Sequence, residues 1–104
     1  MKSKTTVHES SLESLKDIAK NMFKGEDVTV ILFGSRARRD NLETSDMDVG
    51  ILPRKEINKS KIALFRERIE NSNIPYKVDV VDLSQASKEF ASKVFKEGQV
   101  IWKS

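Results

Sequence analysis

The sequence predicts an α/β sandwich: a small mixed β-sheet with helices on one face and an open face opposite. Three observations carry that expectation. Apolar residues recur at helical spacing in three segments and in strand-like runs between them, so the two kinds of element alternate. The first two strand-like runs are joined by only about a dozen residues, too few for a comfortable parallel crossover, so the sheet should be mixed. Aspartates stand in two of the runs on the face turned away from the apolar residues, and that face should be an open cleft.

Ser10 to Lys24 reads as the first helix, with Leu12, Leu15, Ile18, Ala19, Met22 and Phe23 on one side. Ser10 with Glu13 fits a capping box, Gly25 is a natural stop, and residues 1–9, including the lone His8, are left as a flexible tail. Val28 to Phe33 is β-branched and aromatic, the signature of a buried strand. Gly34-Ser35 should then open a short helical turn through about Arg39, followed by a polar loop from Asp40 to Ser45.

Asp46 to Leu52 alternates: Met47, Val49 and Ile51 point one way, and Asp46, Asp48 and Gly50 the other. Pro53 ends this strand. Asn58 to Asn71 reads as a helix with Ile62, Phe65 and Ile69 inward. Pro75 introduces the third strand, Tyr76 to Val81, with Val78 and Val80 facing the core and Asp79 opposite. Ser84 is expected to cap a last helix with Phe90, Ala91, Val94 and Phe95 on its apolar side, and Gly98 to stop it. Val100-Ile101-Trp102 closes the chain as a short strand or packed tail. Tyr76 and Trp102 read as packing residues.

With 104 residues, 38% of them apolar and 34% charged, the chain suits a single folded domain. Its longest apolar run is far too short for a membrane span, and the N-terminus lacks the apolar stretch of a secretory signal. There are no cysteines, hence no disulfide framework or zinc-thiolate site, and the expected location is cytoplasmic. The net charge of +3 suits an anionic partner such as a nucleotide. The basic residues are scattered, however: Lys55, Lys59, Lys61, Arg66, Arg68, Lys88, Lys93 and Lys96 read as solvated helix faces, so no direct nucleic-acid binding is expected.

The chemistry-bearing run is Gly34-Ser35-Arg36-Ala37-Arg38-Arg39, then Asp46-Met47-Asp48, with Asp79 as a third carboxylate. A small-residue turn after a strand lets backbone N–H groups and a hydroxyl approach a phosphate. Asp46 and Asp48 stand about 7 Å apart along one strand face, and carboxylates so placed suit the magnesium ions that phosphates travel with. Two such ions neutralise phosphate charge and activate an attacking hydroxyl, which is the need of nucleotidyl transfer. Taken singly, Gly-Ser after a strand is usually a plain turn, and Asp-x-Asp on a strand is often a solvated edge. Asp79 is harder to dismiss, because aspartate is disfavoured inside strands. Asp82 competes with it, although its place before Leu83-Ser84 suits a strand exit or a helix start. Arg36, Arg38 and Arg39 are evenly balanced between phosphate contact and solvated loop.

Gly-Ser, ten residues, Asp-x-Asp resembles the pattern of the minimal nucleotidyltransferases of the DNA polymerase beta-like superfamily, and Gly34-Ser35-Arg36-Ala37-Arg38 and Ser45-Asp46-Met47-Asp48-Val49 extend the match. The resemblance covers residues 10 to 103, and within the family the chain looks like the antitoxin half of HEPN/MNT toxin–antitoxin modules. Arg39 departs from the family, which usually has glycine there. The resemblance implies the nucleotidyltransferase fold. It also implies Asp46, Asp48 and Asp79 as catalytic metal ligands for two Mg2+ ions, and Gly34 and Ser35 as holders of the ATP phosphates. Arg36 and Arg39 are our additions to the nucleotide site. The implied reaction is transfer of AMP to a tyrosine of a HEPN-domain ribonuclease toxin. A purely binding antitoxin and transfer to a small-molecule hydroxyl are the alternatives. Asp-triad carboxylates repel one another and argue against an idle site. The small-molecule enzymes usually carry an added substrate domain.

Overall fold

The computed structural model describes residues 7–33 and 47–103. In order, the elements are helix α1 (Val7–Phe23), strands β1 (Val28–Phe33) and β2 (Met47–Pro53), helix α2 (Lys59–Glu70), strand β3 (Val78–Asp82), a 3-10 turn (Leu83–Gln85), helix α3 (Lys88–Glu97) and strand β4 (Gln99–Lys103). The strands form one sheet in the order β3-β2-β1-β4. β1 runs antiparallel to both β2 and β4, and β2 runs parallel to β3. The mixed sheet expected from the short β1–β2 connection is therefore present.

Alternation along the strands divides the core. Val28, Val30, Leu32, Met47, Val49, Ile51 and Val80 are buried on one face with Leu12, Leu15, Ala19, Phe23, Ile62, Phe65 and Ile69 from α1 and α2. The Phe23 and Phe65 rings meet there at 5.2 Å between centroids. At about 25 cal/mol per Å² of apolar area removed from water, this layer is the main source of stability. Lys61 ties α2 to the α1–β1 connection, its Nζ 2.9 Å from Glu26 Oε2.

Several boundaries differ from expectation. α1 starts at Val7, so residues 7–9 are helix rather than tail, and Ser10 is already inside it, which rules out the Ser10 capping box. Asn58 and Asn71 cap α2 instead of belonging to it, and the Asn58 side chain accepts from the Ser60 N–H. β3 begins two residues later than the sequence suggests and ends on Asp82. Ser84 does not cap the last helix: Asp82 caps the 3-10 turn, and Ser87 caps α3 by accepting from Phe90 N–H at 3.1 Å.

The second face is only partly open. Ile31, Leu83 and Val94 form a small buried cluster there, so the 3-10 turn and α3 lie across one part of it. Two glycines make this close approach feasible. A Cβ on Gly50 would meet Leu83 Cδ1 at 2.7 Å, and one on Gly98 would lie 2.6 Å from Val94 O and 2.8 Å from Leu32 O. Of the four α3 residues expected inward, Val94 alone is buried; Phe90 and Phe95 are 41% and 53% exposed. The helix has a narrower apolar stripe than its sequence implies, because it rests on a corner of the sheet.

Candidate active site

β2 is the central element of the site. Met47, Val49 and Ile51 are fully buried among α1 and α2, which turns Asp48, Gly50 and Leu52 onto the second face. β3 repeats the arrangement: Val78 and Val80 pack on the core and Asp79 turns away, exposed. The parallel register then decides the geometry, because Asp48 pairs with Asp79. Register partners on neighbouring strands share a face, about 4.8 Å apart at their backbones. Two carboxylates far apart in the sequence are thus brought side by side. Met47 N–H donates to Lys77 O at 2.9 Å, which extends the pairing to the start of both strands.

On its other side Asp48 pairs with Phe33, the last residue of β1. Phe33 and Met47 are the two residues that flank segment 34–46, and both stand at this end of the sheet. Gly34, Ser35, Arg36, Arg38, Arg39 and Asp46 lie outside the described residues, as do the expected helical turn and polar loop. Among the described residues no group of three metal-ligating side chains is present; Asp48 and Asp79 are the two of the expected triad that are seen.

Asp82 is not a third member. It is on the opposite side of β3 from Asp79 by strand alternation, and its Oδ1 accepts from Ser84 N–H at 3.0 Å and from the Ser84 hydroxyl at 2.6 Å. Lys59 Nζ lies 3.4 Å from its Oδ2. Partial burial pushes the carboxyl up, but the Ser84 hydrogen bonds and Lys59 outweigh burial and hold it below the usual carboxylate range. The strand-exit reading of Asp82 is the right one.

Three of the basic residues read as solvated also make tertiary contacts. Lys59 and Lys61 pair as described, and Arg66 Nη2 donates to Val80 O at 2.9 Å across the outer edge of β3. Beside that edge runs a groove of about 550 Å³, with Arg66, Tyr76, Lys77 and Asp79 among its lining residues. It gives Asp79 an approach from outside the sheet. The aromatic side of the site escaped the sequence reading too. The Phe33 and Phe90 rings meet edge to face at 5.9 Å and 83°. A Cβ on Gly50 would also lie 3.5 Å from Phe33 Cε1, so that ring leans over β2 next to Asp48.

The family model described as Polymerase beta, Nucleotidyltransferase matches residues 13–104. The chain belongs to this family. As a polymerase beta nucleotidyltransferase it is similar to the probable protein adenylyltransferase MntA of Haemophilus influenzae, 29% identical over 75 residues, which are 72% of this chain and 66% of that protein. Two solved structures share its fold. One is a toxin–antitoxin complex with AMP-PNP (TM-score 0.70, 19% identity, 89% of this chain and 73% of that one). The other is a tri-AMPylated Shewanella oneidensis HEPN toxin in complex with its MNT antitoxin (TM-score 0.67, 18% identity, 93% of this chain and 73% of that one). The chain thus spans just under two thirds of the curated relative and about three quarters of these structural neighbours. No helix among the described residues is long and apolar enough to cross a membrane.

Proposed function

We propose that this nucleotidyltransferase is a protein adenylyltransferase that acts as an antitoxin, moving AMP from MgATP to a tyrosine hydroxyl of a HEPN-domain toxin in the cytoplasm. The observation that carries the reading is the in-register pair Asp48 and Asp79 on the open part of the sheet. The likeness to a protein adenylyltransferase and to MNT–HEPN complexes supports the choice of donor and acceptor.

The donor set fits magnesium. Carboxylate oxygens are the ligands a hard divalent cation takes, and two adjacent ones leave room for water and phosphate oxygens. Asp46, Asp48 and Asp79 would hold two ions. When bound, the metal supplies charge neutralisation on the phosphates and a lowered pKa for the attacking hydroxyl. The chain's own residues do the rest. Gly34 allows the phosphates close to the backbone, and Ser35 donates its hydroxyl and N–H to them. Arg36 and Arg39 offset charge on the departing pyrophosphate. Asp79, on the groove side, orients the tyrosine hydroxyl, which attacks the α-phosphorus; the P–O bond to pyrophosphate breaks and the phenolic proton leaves to solvent.

The test is intact-mass spectrometry of a HEPN-domain toxin after incubation with the protein, ATP and magnesium. The expected result is a gain of one or more AMP units, lost in Asp46→Asn. A toxin that stays unmodified yet is fully inhibited would replace this reading by a binding-only antitoxin.

A further inference from the structure

We propose that Phe90 is the platform for the base of the nucleotide donor, a role that rests on the nucleotidyltransferase reading of the same site. Its position calls for an explanation. An apolar ring in the first turn of a short amphipathic helix is expected in the core, yet Phe90 is 41% exposed while Val94, one turn on, is buried. Its backbone is nonetheless fixed at the helix start, and its ring has an aromatic neighbour. Its N–H is tied to the Ser87 hydroxyl oxygen at 3.1 Å, and the edge of one ring meets the face of the other where it contacts Phe33.

Phe33 links that exposed ring to the chemistry. It pairs with Asp48 across β1 and β2, so its side chain shares the carboxylate's face. It lies beside Gly50, within van der Waals reach of where a Cβ would stand. The sequence of contacts is therefore Asp79, Asp48, Phe33, Phe90, running across the second face from the β3 edge toward α3. A nucleotide whose phosphates lie at the carboxylates has two directions for its base. Toward β3 is the groove beside Asp79; toward α3 is the half-exposed Phe90 ring. Nucleobases stack on such faces without needing a hydrogen-bond code, and purines, with the larger ring system, gain more than pyrimidines.

The experiment is isothermal titration of the full chain with MgATP and, separately, with magnesium tripolyphosphate, which has the phosphates and no base. Phe90→Ala, Phe90→Leu and Phe90→Trp are compared with wild type after their thermal midpoints are measured. Alanine and leucine should weaken MgATP by about tenfold, equivalent to about 1.4 kcal/mol and within the range for one base on one aromatic ring. Tryptophan should match or exceed wild type, and all four proteins should bind tripolyphosphate alike. Equal MgATP affinity in Phe90→Ala overturns the inference. So does an equal loss for both ligands, which would make Phe90 merely structural. A wild-type protein that binds no MgATP would overturn the functional reading and the platform together.

Discussion

At the scale of single residues, the proposed site sets two carboxylates, Asp48 and Asp79, side by side on neighbouring strands. Like charges so placed do not favour folding. Asp79→Asn should therefore abolish AMP transfer while leaving the metal-free protein at least as stable as wild type; calorimetric unfolding beside an activity assay checks both halves, and a large loss of stability would mark Asp79 as structural. Asp48→Asn should likewise remove MgATP binding with the fold intact. Ser35→Ala should slow transfer by roughly 10²–10³, the cost of one preorganised donor, and full activity at limiting ATP would return Gly34-Ser35 to the status of a plain turn. Asp82 behaves in the opposite sense from the Asp48–Asp79 pair. Its carboxyl is held below its unfolded value, so it stabilises the fold above a pH of about 4 and that contribution is lost as acid protonates it. Asp82→Ala should cost about 1 kcal/mol at neutral pH, as loss of a cap does, and the gap from wild type should close on acidification toward pH 3.

At the scale of elements, what the sequence made legible follows from periodicity. β1 was bounded correctly because every residue from Val28 to Phe33 is strand-forming and Val28 through Leu32 are buried. The inward set of α2, Ile62, Phe65 and Ile69, came from helical spacing alone. The aspartate faces followed from alternation, and so Asp48 and Asp79 could be assigned to one side before their strands were known to be neighbours. What stayed hidden depends on tertiary partners. Nothing local shows that α3 crosses onto the second face, or that Phe90 therefore stays exposed, since an apolar stripe does not say which surface it will meet. The Lys59–Asp82 and Arg66–Val80 contacts are equally non-local. Gly98 was read as a helix stop and does cap α3; its backbone is extended, and the need for glycine comes from the closeness of Val94 O and Leu32 O. Gly98→Ala should thus destabilise by roughly 1–3 kcal/mol through overpacking, lowering the urea midpoint; an unchanged midpoint would mean that α3 shifts freely on the sheet.

At the scale of the whole molecule, β1 stands between two antiparallel neighbours of different origin. β2 follows it in sequence, whereas β4 reaches it only after α2, β3 and α3, pairing Thr29 with Lys103. Ile101 is the buried residue through which β4 joins the main core, and Ile101→Ala should cost about 2–4 kcal/mol at equilibrium. The same pairing has a kinetic side. Closing so long a loop is entropically costly, so α1, β1 and β2 can condense first, while β4 docks after the rate-limiting barrier. Ile101→Ala should then accelerate unfolding far more than it slows refolding, whereas Val49→Ala should slow refolding, a contrast that stopped-flow fluorescence can read. Until β4 arrives, β1, the strand that leads into Gly34-Ser35, has a bare edge. A nascent chain caught at that stage would be open to strand exchange with its neighbours, and the final strand serves as the latch that ends that exposure.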